Sequence, residues 1–141
     1  MREFTWRARV YWEDTDGGGI VYYANYLKFL ERARTEWLRS LGHAQSQLLA
    51  QAGIAFAVAN VNIDYKRPAR LDDELTITCQ PERMGGTAVH FVQRIYRGIP
   101  EDLVAQAQVR VVCIDTQRLR PTRLPDFLIQ ALAANEETFP A

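Results

Sequence analysis

The densest group of potentially reactive side chains in the sequence is the run EDTDGGG at residues 13–19. Carboxylates and glycines in so short a run favour a tight loop with an exposed backbone. In such a loop, Asp14 and Asp16 could bind calcium, act as a nucleophile or general base, or hold the turn through hydrogen bonds. The composition of the loop alone does not favour catalysis over a structural turn.

The calcium interpretation depends on the spacing of the ligands. The two aspartates and Gly19 match the opening of an EF-hand loop, which carries glycine at its sixth position. The match fails at the twelfth position, where Asn25 replaces the bidentate glutamate that such a loop requires. The two histidines, His43 and His90, also lack the spacing of metal ligands. We therefore predict neither a metal site nor another cofactor.

Other common catalytic arrangements are missing from the sequence. Ser40 and Ser46, the only serines, lie outside any nucleophile-elbow motif and have no paired histidine. The glycines of the loop fit neither the phosphate-binding nor the dinucleotide-binding spacing. Cys79 and Cys113 each fall in an alternating apolar pattern, so we expect buried free thiols rather than nucleophiles.

The loop lies between two predicted elements that would position it. Residues 4–12 alternate apolar and polar side chains, which predicts a half-buried strand. After the loop, apolar residues at helical spacing predict one long helix that begins near Tyr23 to Asn25 and ends at Gly42. Arg34 projects to the edge of the apolar side, and we expect its charged head to reach water. The apolar side consists of Tyr26, Phe29, Leu30, Ala33, Trp37 and Leu41.

The rest of the chain predicts mainly strands. We expect a short helix over residues 45–51 and a closing helix over 125–134. Between them, strands are expected over residues 54–65, 74–80, 87–96 and 103–114. This order predicts an α+β fold, in which a long helix crosses a five-stranded, mostly antiparallel sheet. The start of 54–65 is apolar on both faces. Because one helix covers only one face, we expect a second copy of the chain to cover the other.

Size, charge and hydropathy limit the possible partners. The 141 residues, 48% hydrophobic and 24% charged, are typical of one globular domain spanning residues 1–141. Basic and acidic residues both number 17, so no net field attracts nucleic acid or an anionic membrane. The N-terminus lacks the apolar stretch of a signal peptide, and no run predicts an integral membrane segment. We therefore expect a cytoplasmic protein.

Runs of residues on both sides of the loop resemble the 4-hydroxybenzoyl-CoA thioesterase family. Within it they are similar to the YbgC-type branch of short bacterial acyl-CoA thioesterases linked to the Tol-Pal envelope system. The resemblance implies a hotdog fold, a homodimer or homotetramer with sites at subunit interfaces, and hydrolysis of an acyl-CoA or acyl carrier protein thioester. The matching runs are VYWEDTD at 10–16, GGIVY at 18–22, YLKFLERARTE at 26–36, and shorter matches at 64–65, 68–73, 93–95 and 111–113.

The resemblance also implies roles for single residues. In that family the second acid of the motif attacks the thioester or activates water, which implies Asp16 as the catalytic residue. A backbone N–H at the start of the long helix polarises the thioester carbonyl, which implies Tyr23 as a substrate-binding residue. Asn25, at the same helix start, is a further candidate for substrate binding.

The substrate leaves two further questions, one about its phosphates and one about its acyl group. CoA phosphates need cations at the mouth of the site, and the candidates are Lys66 and Arg67, followed by Arg70 and Arg83; each fits an ordinary solvated charge equally well. Many YbgC-type members carry a histidine where this chain has Tyr23, whereas the aromatic-acyl branch carries a tyrosine. The resemblance therefore implies the reaction class and leaves the acyl group open.

Two other functions fit the same pattern. One is a non-hydrolytic protein that binds acyl thioesters, in which the acidic loop only holds the turn. The other is a hotdog dehydratase, which needs a catalytic histidine paired with an acid, and His43 and His90 are poorly placed for that role. Release of thiol from a panel of acyl-CoAs would distinguish hydrolysis from both.

Overall fold

One strand, one long helix and four further long strands follow each other along the chain, as predicted. The computed structural model of the chain describes residues 3–98 and 101–138. The strands are β1 Phe4–Arg9, β2 Ile54–Tyr65, β3 Glu74–Met84, β4 Ala88–Arg97, β5 Asp102–Asp115 and the short β6 Arg120–Pro121. The helices are α1 Tyr26–Ser40, α2 Gln45–Gln47 with the π-helical turn Leu48–Ala52 after it, and α3 Asp126–Thr138.

The first strand is shorter than its alternating pattern predicts. Within β1 the prediction is confirmed, because its residues alternate between partly buried and exposed. At Trp12 the prediction is wrong, since this residue begins a 3₁₀ turn and is 79% exposed. The strand ends early because the Asp14 carboxylate accepts the N–H of Tyr11 at 2.8 Å, which removes that donor from the sheet.

The long helix matches its prediction closely. A 3₁₀ turn over Tyr23–Asn25 leads into α1, and Gly42 follows its end with a φ of 92°, in the left-handed region that suits glycine. Five of the six predicted apolar side chains are buried, while Leu41 packs against the core from a partly buried position. The buried face of α1 consists of Tyr26, Phe29, Leu30, Ala33, Trp37 and Leu38.

The five long strands form one antiparallel sheet in the order β1-β3-β4-β5-β2, and β6 pairs with β5. The helix α1 packs across this sheet, where the Trp37 and Phe91 rings meet edge to face at 5.4 Å. This arrangement confirms the predicted α+β class and is the hotdog fold that the resemblance implies. None of the described helices is long and apolar enough to cross a membrane.

The edge strand β2 presents one side without a partner among the described residues. It pairs with β5 from Ile54 opposite Asp115 to Tyr65 opposite Ala105, with an irregularity between Val58 and Asn60. All 12 of its residues are partly or fully exposed, including Val58 at 48%. A long, largely apolar edge strand invites pairing with another strand, because its outer N–H and C=O groups lack partners.

A buried polar group lies between α1 and the sheet. Gln93 is fully buried, and its side-chain amide donates to the main-chain oxygens of Leu30 at 3.1 Å and Thr78 at 3.2 Å. The Arg34 guanidinium donates to Gln93 Oε1 at 3.0 Å, while the residue is only partly buried, so contact of its head with water stays a prediction. Burial lowers the pKa of Arg34 from its ordinary value, and the hydrogen bond partly replaces the lost water.

Candidate active site

The first aspartate of the loop is buried, and both of its carboxylate oxygens accept hydrogen bonds. Asp14 is 6% exposed, and its Oδ2 accepts the N–H of Tyr11 at 2.8 Å. Its Oδ1 accepts the side-chain amide of Asn25, which is also 6% exposed, at 2.8 Å. The main-chain oxygen of Asp14 accepts the N–H of Tyr22 at 3.0 Å. These bonds join the end of β1 to the segment that begins the helix.

The second aspartate faces solvent on a tight turn. Asp16 is exposed, and its Oδ1 accepts the N–H of Gly18 at 2.7 Å. Its main-chain N–H donates to Ile20 at 2.9 Å, and its main-chain oxygen accepts the N–H of Gly19 at 3.3 Å. Within the described residues, Oδ2 of Asp16 accepts no hydrogen bond. One carboxylate oxygen thus orients the side chain while the other remains open to a ligand.

The start of the helix presents a free backbone donor near this turn. An antiparallel bridge between Thr15 and Val21 closes the loop and brings Asp16 close to the helix start. The N–H groups of Val21 and Tyr22 are already bound, to Ala69 and Asp14. In the described part of the chain, the N–H of Tyr23 donates to no protein acceptor. This donor opens the 3₁₀ turn before α1, where the helix dipole favours negative charge.

A connecting segment lies beside the loop and carries cations. The N–H of Leu71 donates to Gly19 at 3.3 Å, and Arg70 forms an antiparallel bridge with Ile20. At the start of the same segment, the N–H groups of Lys66 and Arg67 donate to the main-chain oxygen of Val104 at 2.7 and 3.1 Å, and both residues are exposed. The structure thus places Lys66, Arg67 and Arg70 on the segment that contacts the loop.

Arg83 lies elsewhere. The first residue of β3, Glu74, pairs with Arg9 next to the loop. Arg83 is near the other end of β3, about 30 Å from Glu74 at roughly 3.3 Å per residue. Its neighbour across the sheet is His90. Burial lowers the pKa of His90, and the charges of Arg83 and Arg110 lower it further. The structure does not bring Arg83 together with Asp16 in one protomer.

Tyrosines surround the helix start, and the sequence did not indicate their arrangement. The hydroxyl of Tyr65, at the end of β2, donates to the main-chain oxygen of Tyr23 at 3.1 Å. Its ring lies 6.3 Å from Tyr23 and 5.5 Å from Tyr26. The Tyr26 hydroxyl accepts the N–H of Ala69, and burial raises the pKa of this phenol. The available signal was an aromatic residue at the end of a strand, without any indication of its partner.

An apolar cleft of about 100 Å³ lies between α1 and the sheet. It reaches the edge strand β2 at Val58, and Glu31 and Arg34 provide its polar wall. Trp37, another lining residue, lies about 21 Å along the helix from Tyr23 at roughly 1.5 Å per residue. The cleft is therefore distant from Asp16 of the same chain. Its apolar wall includes Trp37, Leu38, Phe56, Val89, Phe91 and Val111.

The alternative reactive groups have unfavourable surroundings. Cys79 and Cys113 are buried free thiols, as predicted. Burial raises the pKa of Cys79 well above its ordinary value and that of Cys113 to about 11, so neither forms a thiolate readily. Within the ranges the structure describes, no group of three or more His, Cys, Asp or Glu residues is arranged to hold a metal. Independence from metals remains a prediction.

Comparison with known proteins identifies one family model, two relatives and one solved structure. The model of the thioesterase-like superfamily matches residues 10–132. The acyl-CoA thioester hydrolase YbgC of Escherichia coli O6:H1 is 44% identical over 126 residues, which cover 89% of this chain and 92% of that protein. The 1,4-dihydroxy-2-naphthoyl-CoA hydrolase of Nostoc punctiforme is 30% identical, over 94% of this chain and 88% of that protein. Among solved structures, a probable thioesterase from Bartonella henselae superposes with a TM-score of 0.83 and 36% identity, covering 88% of this chain and all of that one.

Proposed function

The chain belongs to the thioesterase-like superfamily and is a thioester hydrolase, and on that premise we propose that it hydrolyses acyl-CoA with Asp16 as the catalytic residue. The resemblance to YbgC-type thioesterases is confirmed by 44% identity over most of the chain. The observation that carries the proposal is the pairing of an exposed carboxylate, at Asp16, with the free N–H of Tyr23 at a helix start.

The chemistry of thioester hydrolysis fits these two groups. The carbonyl oxygen of the thioester gains negative charge on attack, and the Tyr23 N–H with its helix dipole stabilises that charge. The open oxygen of Asp16 either attacks the carbonyl carbon or removes a proton from the water that does so. The C–S bond then breaks, and CoA leaves as a thiolate that takes a proton, from the protonated Asp16 on the general-base route and from solvent water on the nucleophilic route. If Asp16 attacks, water hydrolyses the resulting anhydride to the free acid and restores the carboxylate.

The cations beside the loop suit the CoA end of the substrate. Lys66 and Arg67 expose their side chains on the segment that contacts the loop. We assign them to the CoA phosphates, where a lysine acts as a point charge and an arginine can bind two oxygens. Arg83 is left out of this role because of its distance along β3.

Asn25 needs a different role from the direct substrate contact that we expected. Its amide is buried and donates to Asp14, so within one protomer it does not face the turn that carries Asp16. We assign Asn25 to the support of the site. Tyr65, which donates to the main chain of Tyr23, supports the same helix start from β2.

The oligomer expected from the sequence belongs to the same proposal. Two copies that pair along the outer side of β2 in antiparallel fashion would form an isologous interface. Such pairing would set the Tyr65 end of one strand beside the Ile54 end of the other. The loop of one copy would then lie near the apolar cleft of its partner, which suits an acyl chain. Light scattering that reports a monomer at micromolar concentration would contradict this part of the proposal.

Several expectations from the sequence stay predictions. These are the single domain over residues 1–141, the location in the cytoplasm, the link to the Tol-Pal system, and the choice between CoA and carrier-protein thioesters. The acyl group also stays open, because the chain is more similar to an acyl-CoA thioester hydrolase than to the naphthoyl-CoA hydrolase, whereas Tyr23 matches the aromatic-acyl branch. A substrate panel has to include both kinds.

Thiol release over a panel of acyl-CoAs tests the proposal. The panel contains short-chain, long-chain and aromatic acyl groups, assayed with and without a chelator. We expect turnover of at least one acyl-CoA with release of one thiol for each free acid, unchanged by chelation. The absence of turnover across the panel would contradict the substrate class. Activity lost on chelation and restored by added metal would contradict the metal-free site.

A further inference from the structure

We propose that Asp14 and Asn25 form a positioning pair that sets the distance between the Asp16 carboxylate and the Tyr23 N–H. The inference rests on the proposed function of these two groups. The pair lies outside the turn that carries Asp16, and both of its residues are buried. Its role would be to hold the two groups of the site in register without contact with the substrate.

The pair is built as a satisfied polar contact inside the protein. Both side chains are 6% exposed, and the Asn25 amide donates to Asp14 Oδ1 at 2.8 Å. The other oxygen of the carboxylate accepts the N–H of Tyr11 at 2.8 Å. No described side-chain nitrogen or oxygen that is fully buried lacks a hydrogen bond. A buried charged group of this kind is costly unless each bond is present, so the geometry of the pair is tightly constrained.

The bonds of the pair fasten both sides of the loop at once. On the entry side, Asp14 holds the end of β1 through Tyr11. On the exit side, it holds Asn25 through the side chain and Tyr22 through its main-chain oxygen. The N–H of Asn25 donates back to Tyr22 at 2.8 Å, which closes the turn that contains Tyr23. The segments that carry the Tyr23 N–H and the Asp16 carboxylate are therefore both held by the same buried pair.

The donor count favours an aspartate at this position. Asp14 receives two N–H donors and gives none, which only a carboxylate can do with both of its oxygens. An amide in its place would keep an oxygen for only one of those donors, so the Asn25 amide would have to flip and present its oxygen to the new NH₂ group. Likewise, a carboxylate in place of Asn25 would set two buried acceptors of like charge against each other. Exchanging the two residue types restores one donor and one acceptor across the contact.

The consequence for the reaction follows from the sensitivity of catalysis to small displacements. A shift of about 1 Å in a reacting group can cost on the order of 100-fold in rate. Loss of the pair should therefore lower kcat more than it raises KM, since the groups proposed to bind CoA lie on a separate segment.

The test compares Asp14→Asn, Asn25→Asp and the exchanged double variant. We expect each single variant to lose roughly 10-fold or more in kcat with KM for the best acyl-CoA within about threefold, and the double variant to recover most of the loss. Gly42→Ala is the control for stability, because it strains a left-handed glycine at the far end of α1 and should lower Tm with kcat unchanged.

Two results would overturn the inference: single variants with wild-type kcat, or a folded double variant whose loss equals the product of the single losses. If the exchanged variants do not fold, Asn25→Ala tests the inference. This variant removes the hydrogen bond from Asn25 to Asp14 and leaves Asp14 bound to Tyr11. A folded Asn25→Ala with wild-type kcat would also overturn the inference. These outcomes differ from a failure of the proposed function, which would show as an inactive wild-type protein or as a fully active Asp16→Asn variant.

Discussion

The two halves of the loop between β1 and α1 carry the same kind of side chain in opposite surroundings. In the first half, Asp14 is buried, and both of its carboxylate oxygens accept hydrogen bonds from the protein. In the second half, Asp16 is exposed, and only one of its carboxylate oxygens accepts a hydrogen bond within the described residues, from the N–H of Gly18. Residue type therefore does not separate support from chemistry here; burial and the count of bound donors do.

Because of this difference, substitutions of the two aspartates should have different effects, on stability at Asp14 and on the reaction at Asp16. A buried acceptor contributes to the free energy of unfolding, because its removal leaves donors such as the Asn25 amide without a partner. An exposed carboxylate on a turn contributes little to folding, and its open oxygen can react.

The largest effect is expected from the donor at the helix start. Tyr23→Pro removes only one N–H from the main chain, and proline fits because Tyr23 is the first residue of its turn and Tyr22 has an extended ψ of 131°. We expect kcat to fall by about 100- to 1,000-fold, the scale of losing an oxyanion donor. Steady-state kinetics should show Tyr23→Ala, which keeps the N–H, within tenfold of wild type. Equal losses in the two variants would point to the ring instead.

A large effect on folding is expected in the first half of the loop. Asp14→Ala leaves the Tyr11 N–H and the Asn25 amide without their acceptors. Unsatisfied buried donors cost about 1–3 kcal/mol each, so the free energy of unfolding should fall by about 2 kcal/mol or more. Urea unfolding followed by circular dichroism measures it. A change below about 0.5 kcal/mol would mean that water replaces the carboxylate at little cost.

A smaller effect on folding is expected in the second half. Gly19 has a φ of 80°, so Gly19→Ala strains the turn of Asp16 and should cost about 1 kcal/mol. Gly17→Ala is the matched control, since Gly17 lacks a positive φ and a Cβ there meets nothing within 4 Å. Thermal unfolding should separate the two variants. Equal Tm values would show that the turn relaxes without strain.

The smallest effect is expected at the cations beside the loop. Lys66→Gln and Arg67→Gln should each raise KM for acyl-CoA about two- to fivefold, which corresponds to the ~0.5–1 kcal/mol of an exposed ion pair. The increase should shrink at high salt, because exposed charges are screened. Arg83→Gln, far along β3, serves as the control and should leave KM unchanged. An effect at Arg83 alone would move the phosphate site to the other end of the sheet.

Periodicity predicted the elements, since apolar spacing along α1 and alternation along β1 report directly which faces turn toward the core. It failed where a side chain competes with the sheet for a backbone group, as Asp14 does for the N–H of Tyr11. Sequence spacing also could not reveal partners that are distant along the chain, such as Tyr65 on the main chain of Tyr23. The motif located the site, and only the fold distinguished its support from its reactive group.

The most direct test of the proposed division is a single-turnover measurement on Asp16→Asn with protein in excess over the best acyl-CoA. The amide keeps the acceptor for Gly18 and removes the charge that attacks or accepts a proton. We expect the rate constant for thiol release to fall by roughly 100-fold or more, with half-saturation and Tm close to wild type. A rate constant within a few-fold of wild type, or a variant that loses stability instead of turnover, would contradict the assignment of chemistry to Asp16.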